Sequence, residues 1–240
     1  MDISKYTRLA RKALKLRYCG AVIVAAGNAS RMGGIDKVMA QLDGEPMIVR
    51  TVRAFQECDA IKEIVIVTRT DLIVPISDLC HGFDKVQAVV VGGDSRQASV
   101  EIGLGILSSK VELAAIQDGA RPLITWQVID RVVRAANSYG AAAPAIPVKD
   151  TIKVVQGGIV KETPDRKTLQ AVQTPQVFDA DLLRAALRKA AKDGTEVTDD
   201  SSAVERLGMS VKIVEGDERN IKVTTPMDLK IAQMLLEEQK

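Results

Sequence analysis

The apolar run GAVIVAA, residues 20–26, passes directly into a loop of small residues, GNASRMG, residues 27–33. A strand with one wet face alternates apolar and polar side chains. This run does not, so it reads as a strand covered on both faces. Similar short runs recur at Glu63–Thr68, Val86–Val91, Leu113–Gln117 and Ala141–Val148. Stretches with helical spacing lie between and after them, at Pro46–Glu57, Asp94–Leu107, Thr125–Ser138, Asp179–Lys192, Asp199–Leu207 and Pro226–Glu238. Thr125 is placed to cap one of these helices, and Asp199 or Thr198 another.

Buried strands alternating with helices predict a parallel sheet with crossover helices. The expected fold is α/β: a single Rossmann-like three-layer domain over residues 1–240, with a mostly parallel twisted sheet. One stretch breaks the rhythm. From Lys149 to Thr168 two β-rich arms, Thr151–Val155 and Ile159–Thr163, flank Gly157-Gly158, a two-residue hairpin signal. A lone hairpin is marginal in water. This protruding arm, about 149–168, must therefore rest on its own domain or on a neighbouring subunit, unless it is a plain surface excursion.

Composition narrows the function. The chain has 240 residues, 46% of them apolar and 3% aromatic, with a formal charge of +2. So few rings argue against a nucleic-acid stacking surface, and near-neutrality against a global field for DNA or membranes. No apolar run reaches the roughly 18–20 residues of a membrane span. Cys19, Cys58 and Cys80 lack metal-like spacing and cannot all pair, which favours a reducing cytoplasm. Met1–Tyr18 is basic and lacks a signal peptide's apolar centre. Leu9, Ala13 and Leu16 suggest instead an N-terminal amphipathic helix, and scarce serine disfavours an organelle-targeting peptide.

Three loops carry chemistry. After the first strand, Ala25, Ala26 and Gly27 leave backbone N–H groups open to a phosphate chain; Arg31 adds a forked cation and Lys37 a point charge. Ala29 and Met32 stand where a dinucleotide fingerprint needs glycine, and no Gly-Lys-Ser/Thr of a P-loop follows. After the third strand comes Gly92-Gly93-Asp94-Ser95-Arg96-Gln97-Ala98-Ser99, with Asp94 or Ser95 as cap. A turn with an N-cap explains the glycines but not Arg96 or Ser99. The fourth strand ends in Asp118-Gly119-Ala120-Arg121-Pro122, where open α/β sheets gather ligands, although Asp118 and Arg121 are equally readable as a local ion pair.

With PVKDTIK, DRKTLQAVQTPQVF and VEGDERNIKVTTPMDL further on, these segments are collinear from Gly20 almost to the end. In that order the chain resembles the 2-C-methyl-D-erythritol 4-phosphate cytidylyltransferase family. The resemblance implies transfer of a cytidylyl group from CTP to the polyol phosphate, giving CDP-methylerythritol and pyrophosphate in non-mevalonate isoprenoid precursor synthesis. It implies that Ala25, Ala26, Gly27 and Gly119 contact CTP, that Gly93, Asp94 and Ser99 read cytosine, and that Arg31, Lys37 and Lys222 serve catalysis at the phosphates. Asp118, Arg121, Thr151, Arg166, Thr174 and Thr198 fall to the polyol phosphate. The arm would reach a second protomer and make a homodimer. Ala29, Asp36-Lys37-Val38 and Gln117-Asp118-Gly119 depart from the family's usual residues, which bears most on the placement of Lys37.

The single histidine, His81, lies outside every motif. A phosphomonoester is already anionic near neutral pH, so attack on the α-phosphate needs cations and positioning rather than a general base. Mg²⁺ or another divalent cation is expected, held mainly by the nucleotide with Asp118 as a helper. The competing readings are a ribitol 5-phosphate or other polyol-phosphate cytidylyltransferase and, in a different class, a non-catalytic nucleotide-binding module.

Overall fold

The computed structural model describes residues 15–27, 37–195 and 197–238. Its centre is a sheet whose first half is parallel. Strand β1 (Cys19–Ala25) lies between β6 (Leu113–Asp118) and β4 (Ile61–Thr68), and β5 (Val86–Val91) closes the edge beyond β4. Beyond β6 the direction reverses. β11 (Gln176–Asp179) runs antiparallel between β6 and β7 (Ala141–Pro147), and β10 (Gln170–Val172) is also antiparallel to β7. β12 (Lys212–Glu215) is parallel to β7. The expected α/β fold with a mostly parallel sheet is the fold observed, with an antiparallel element beside β6. Two short strands, β2 (Gln41–Leu42) and β3 (Glu45–Pro46), pair with each other, and a hairpin is formed by β8 (Val154–Gln156) and β9 (Ile159–Glu162).

Strand alternation divides the core into two faces. Cys19, Ala21, Ile23 and Ala25 of β1 point to one face, where α1 (Met47–Glu57), α2 (Ile73–Cys80) and α4 (Trp126–Tyr139) cover them. Val22 points to the other, under α3 (Arg96–Ile106), α5 (Ala180–Lys192) and α6 (Asp200–Glu205). Each buried aliphatic side chain contributes on the order of 1.5–3 kcal/mol, so a strand dry on both sides is the most stabilising element the sequence could offer. A third cluster seats α7 (Pro226–Glu237) through Ala232 and Leu236 on Leu42, Met47, Leu123 and Val223.

Helix starts follow their capping chemistry. Ser95 accepts from the Ala98 N–H, and Asp179 from Asp181 and Leu182. Asp199–Ser202 and Thr225–Asp228 form reciprocal capping boxes. Each cap is worth about 1 kcal/mol. Thr125 precedes α4 as expected, but its side chain makes no capping bond. Lys15–Tyr18 is not helical, which shortens the expected N-terminal helix; the rest of that helix falls in residues 1–14, outside the described residues. Arg17 instead fastens this segment to the C-terminal end of α4. Its backbone N–H donates to Asn137 Oδ1 at 3.0 Å, and its guanidinium pairs with Asp179 at 2.9 Å.

The arm leaves the sheet at Pro147 and returns at Gln170, and these two residues are register partners across β7 and β10. Gly157 (φ 59°) and Gly158 (φ 77°) both occupy the left-handed region, the requirement of a tight type I′ hairpin turn. The paired strands are shorter than the expected arms. Ile152, Val154, Val155, Ile159 and Val160 are all exposed on the arm.

Candidate active site

The parallel strands β1, β4, β5 and β6 end on one side of the sheet, and their loops enclose a cleft of about 530 Å³. Ala26 and Gly27 form the wall after β1, Arg69 and Thr70 that after β4, and Gly92–Ser95 that after β5. Lys37 and Lys222 reach the cleft from outside the sheet. Gly92 sits so close to β1 that a Cβ there would lie 2.6 Å from Ala26 Cβ and 2.8 Å from Ser99 Oγ. Only glycine lets the β1 and β5 walls meet at that spacing. The turn is fixed by hydrogen bonds: Gly93 N–H donates to Ser99 Oγ (3.2 Å), and Ser99 Oγ donates to the Ser95 carbonyl (2.9 Å). Ser95, rather than Asp94, caps the helix.

The floor is a charge network around Asp118, buried at the end of β6. One carboxylate oxygen lies 2.8 Å from Lys222 Nζ and 3.8 Å from Arg121 Nε; the other lies 3.4 Å from Arg96 Nε. The Asp118 backbone N–H donates to Thr174 Oγ1 at 3.1 Å. Burial pushes the Asp118 carboxyl up, but Lys222, Arg96 and Arg121 together outweigh it and hold it below the usual carboxylate value. Arg96 also donates to Asp200 Oδ2 at 2.8 Å. Burial raises the Asp200 carboxyl, against the opposing pull of Arg96. The result is a cationic floor neutralised by two carboxylates, one on the cleft and one behind it.

The structure brings Ala25, Ala26, Gly27, Lys37, Gly93, Asp94, Ser99, Asp118 and Lys222 to one cleft. Gly119 is adjacent and turns the chain, its N–H donating to Val24 O at 2.8 Å. Thr174 lies beneath Asp118. Arg121, expected at the polyol phosphate, is not among the residues lining the cleft. Its side chain is almost wholly buried and donates to the Asn220 carbonyl at 2.6 Å, so it braces the segment that carries Lys222. Asn220 in turn donates to the Thr174 carbonyl at 3.0 Å. Three expected residues stand away from the cleft of a single chain. Thr151 is exposed on the arm, Arg166 donates to Lys149 O at the arm's base (2.8 Å), and Thr198 is exposed before α6. Arg31 lies outside the described residues.

Asp200 of this network was not among the candidates read from sequence, and Arg96 was noted there only as a residue that the turn does not explain. Arg96 had a signal, since a cation in the first turn of a helix opposes the macrodipole and calls for another reason. Asp200 had none, because an acid after an Asp cap is ordinary helix chemistry. Among the described residues no group of three or more His, Cys, Asp or Glu side chains could hold a metal ion. His81 is exposed at the end of α2, away from the cleft.

A model of the 2-C-methyl-D-erythritol 4-phosphate cytidylyltransferase family matches residues 19–238. The chain is 44% identical over 225 residues to the protein of that name from Caldanaerobacter subterraneus, which covers 90% of this chain and 97% of the relative. It is 46% identical over 220 residues to that from Symbiobacterium thermophilum, covering 91% and 92%. Among solved structures it is similar to a 4-diphosphocytidyl-2C-methyl-D-erythritol synthase from Anaerococcus prevotii. There the TM-score is 0.86 at 30% identity, over 94% of this chain and 98% of the other.

Proposed function

Since the chain belongs to the 2-C-methyl-D-erythritol 4-phosphate cytidylyltransferase family, we propose that it transfers the cytidylyl group of CTP to 2-C-methyl-D-erythritol 4-phosphate. A phosphate oxygen of the polyol attacks the α-phosphorus of CTP as the bond to the β-phosphate oxygen breaks. Pyrophosphate leaves and CDP-methylerythritol forms. The observation that carries this reading is the cleft itself, about 530 Å³ at the strand ends with Lys37 and Lys222 on its lining.

The residues have separable parts to play. Small residues Ala25–Gly27 let the triphosphate approach backbone N–H groups, and the turn at Gly93, Asp94 and Ser99 receives the base. Lys37, Lys222 and Arg31 offset the charge that gathers as two anions meet, which is the main barrier to phosphoryl transfer. Asp118 holds Lys222 in place through their 2.8 Å ion pair. Thr151 and Arg166, out on the arm, serve the polyol phosphate of a partner chain in a homodimer. What supports the dimer is the arm's row of exposed apolar side chains, which a solitary protomer leaves in water.

A divalent cation fits the residues present. Asp118 offers a single carboxylate already shared with cations, so Mg²⁺ would rest mainly on nucleotide oxygens and water, with Asp118 as its protein neighbour. When bound it supplies charge neutralisation along the triphosphate. Three buried free thiols support a reducing compartment.

Pyrophosphate release tests the reading. Purified protein with CTP and Mg²⁺ should release it with methylerythritol 4-phosphate and much more slowly with ribitol 5-phosphate. A preference for ribitol 5-phosphate would reassign the substrate, and silence with both while CTP binds would remove the transferase reading.

A further inference from the structure

Asp200 is buried to within 1% of full enclosure, yet no step of the transfer requires it to touch a substrate. It opens α6 on a turn that is fixed from several sides. Asp199 accepts from the Ser202 N–H at 2.9 Å, and Gln176 of β11 grips both neighbours, donating to Asp199 Oδ2 at 2.7 Å and accepting from the Ser201 N–H at 2.9 Å. The turn therefore delivers the Asp200 carboxylate to one place, behind the wall of the cleft. There Oδ2 accepts from Arg96 Nη2, while Oδ1 has no hydrogen-bond partner among the described residues.

A buried carboxylate with one bare oxygen is costly, and stability alone would favour an apolar pair in its place. Its effect is on the division of charge. Arg96 faces two carboxylates, Asp200 at 2.8 Å and Asp118 at 3.4 Å, and the shorter bond is the one behind the cleft. Held from behind, Arg96 leaves the second oxygen of Asp118 to Lys222. Without the negative charge of Asp200, Arg96 and Lys222 would compete for Asp118 on equal terms, and Lys222 would lose its fixed position at the cleft.

We propose that Asp200 is a positioning residue for cytidylyl transfer, acting through Arg96 and Asp118 to hold the Lys222 ammonium at the reacting phosphates. The proposal rests on the functional reading above. Asp200→Asn is the direct test, because the amide oxygen can still accept from Arg96 and the NH₂ group takes the place of the partnerless oxygen. The fold should survive. Should D200N not be recovered folded, Asp200→Ser takes its place.

Turnover is measured by pyrophosphate release in wild type, D200N, R96K and the double variant, alongside melting temperature. D200N should lower kcat by about 30-fold with KM for CTP within about 3-fold. In the R96K background, where the forked guanidinium is gone, the same substitution should cost less than about 3-fold. A D200N enzyme within about 3-fold of wild type overturns the proposal. So does an equal loss in both backgrounds, or a loss that follows a fall in melting temperature. An inactive wild type would instead remove the functional reading and take the positioning role with it.

Discussion

Replacing Asp118 by Asn removes one negative charge from a floor that holds three cations and changes almost no volume. The cost can be worked contact by contact. Lys222 is the nearest cation at 2.8 Å, but its side chain is 43% exposed, so water screens it and its share is at most about 1 kcal/mol. Arg96 keeps Asp200 and so loses little. Arg121, with a side chain only 11% exposed, keeps the Asn220 carbonyl but loses its counter-charge, and that uncompensated buried cation is the largest part. The expected loss is about 3 kcal/mol, measured by urea unfolding at pH 7 with an unchanged m-value. For a chain of this size that corresponds to a melting temperature lower by roughly 6–12 °C.

The pH dependence has a definite sign. The folded-state carboxyl of Asp118 titrates below its unfolded value of about 4, so its stabilisation is present above that value and fades as pH falls through the folded one. Asp200 is shifted the other way, so its contribution is fully present below the unfolded value and is lost as pH rises through the raised folded one. The charge of Asp118 is among the causes of that upward shift and is absent from D118N, so it is the part of the difference that belongs to Asp118 itself that should shrink as pH falls below about 4. A loss under about 0.5 kcal/mol at pH 7, or a difference that persists undiminished into acid, would refute the assignment of the floor as an ion network.

Lys222→Ala should lower kcat by about 100-fold or more while costing at most about 1 kcal/mol of stability, since its side chain is 43% exposed; an unchanged kcat removes it from the chemistry. Gly92→Ala should weaken CTP binding by about 10-fold in calorimetry, because the added methyl forces Ala26 and Ser99 apart; undiminished affinity would show that the two walls can separate freely. Ile159→Asp on the arm should shift sedimentation from dimer to monomer and raise KM for the polyol phosphate, with CTP affinity retained. Dimers of undiminished stability would place the subunit contact elsewhere.

The central strands were legible because each is covered on both faces, so their apolar runs carry no competing polar pattern. The end of the sheet was not. Lys212–Glu215 is only four residues long, with two apolar residues between charged ends, and it becomes β12 where β7 offers it a ladder. α2 carries Pro75 in its first turn, a position where proline is harmless, yet in sequence that proline argues for a loop. At the site, the loops that follow strands could be found from their small residues and charges. The pairing of Arg96 with Asp200 could not, since it joins helices far apart in sequence and leaves no spacing to read. Arg121 was read correctly as a partner of Asp118 in one of its two interpretations, but its orientation toward Asn220 depends on a segment a hundred residues away.

The junction of the arm with the sheet has a consequence for how such a protein can change. Pro147 and Gln170, where the arm departs and returns, already face one another across a ladder, so the intervening stretch is a detachable cassette rather than part of the frame. Its length and side chains can drift, or be exchanged wholesale, while the nucleotide loops stay registered on β1, β4 and β5. On the proposed assignment, the residues for the nucleotide and the arm residues Thr151 and Arg166 would thus sit on pieces of chain with different freedom to vary.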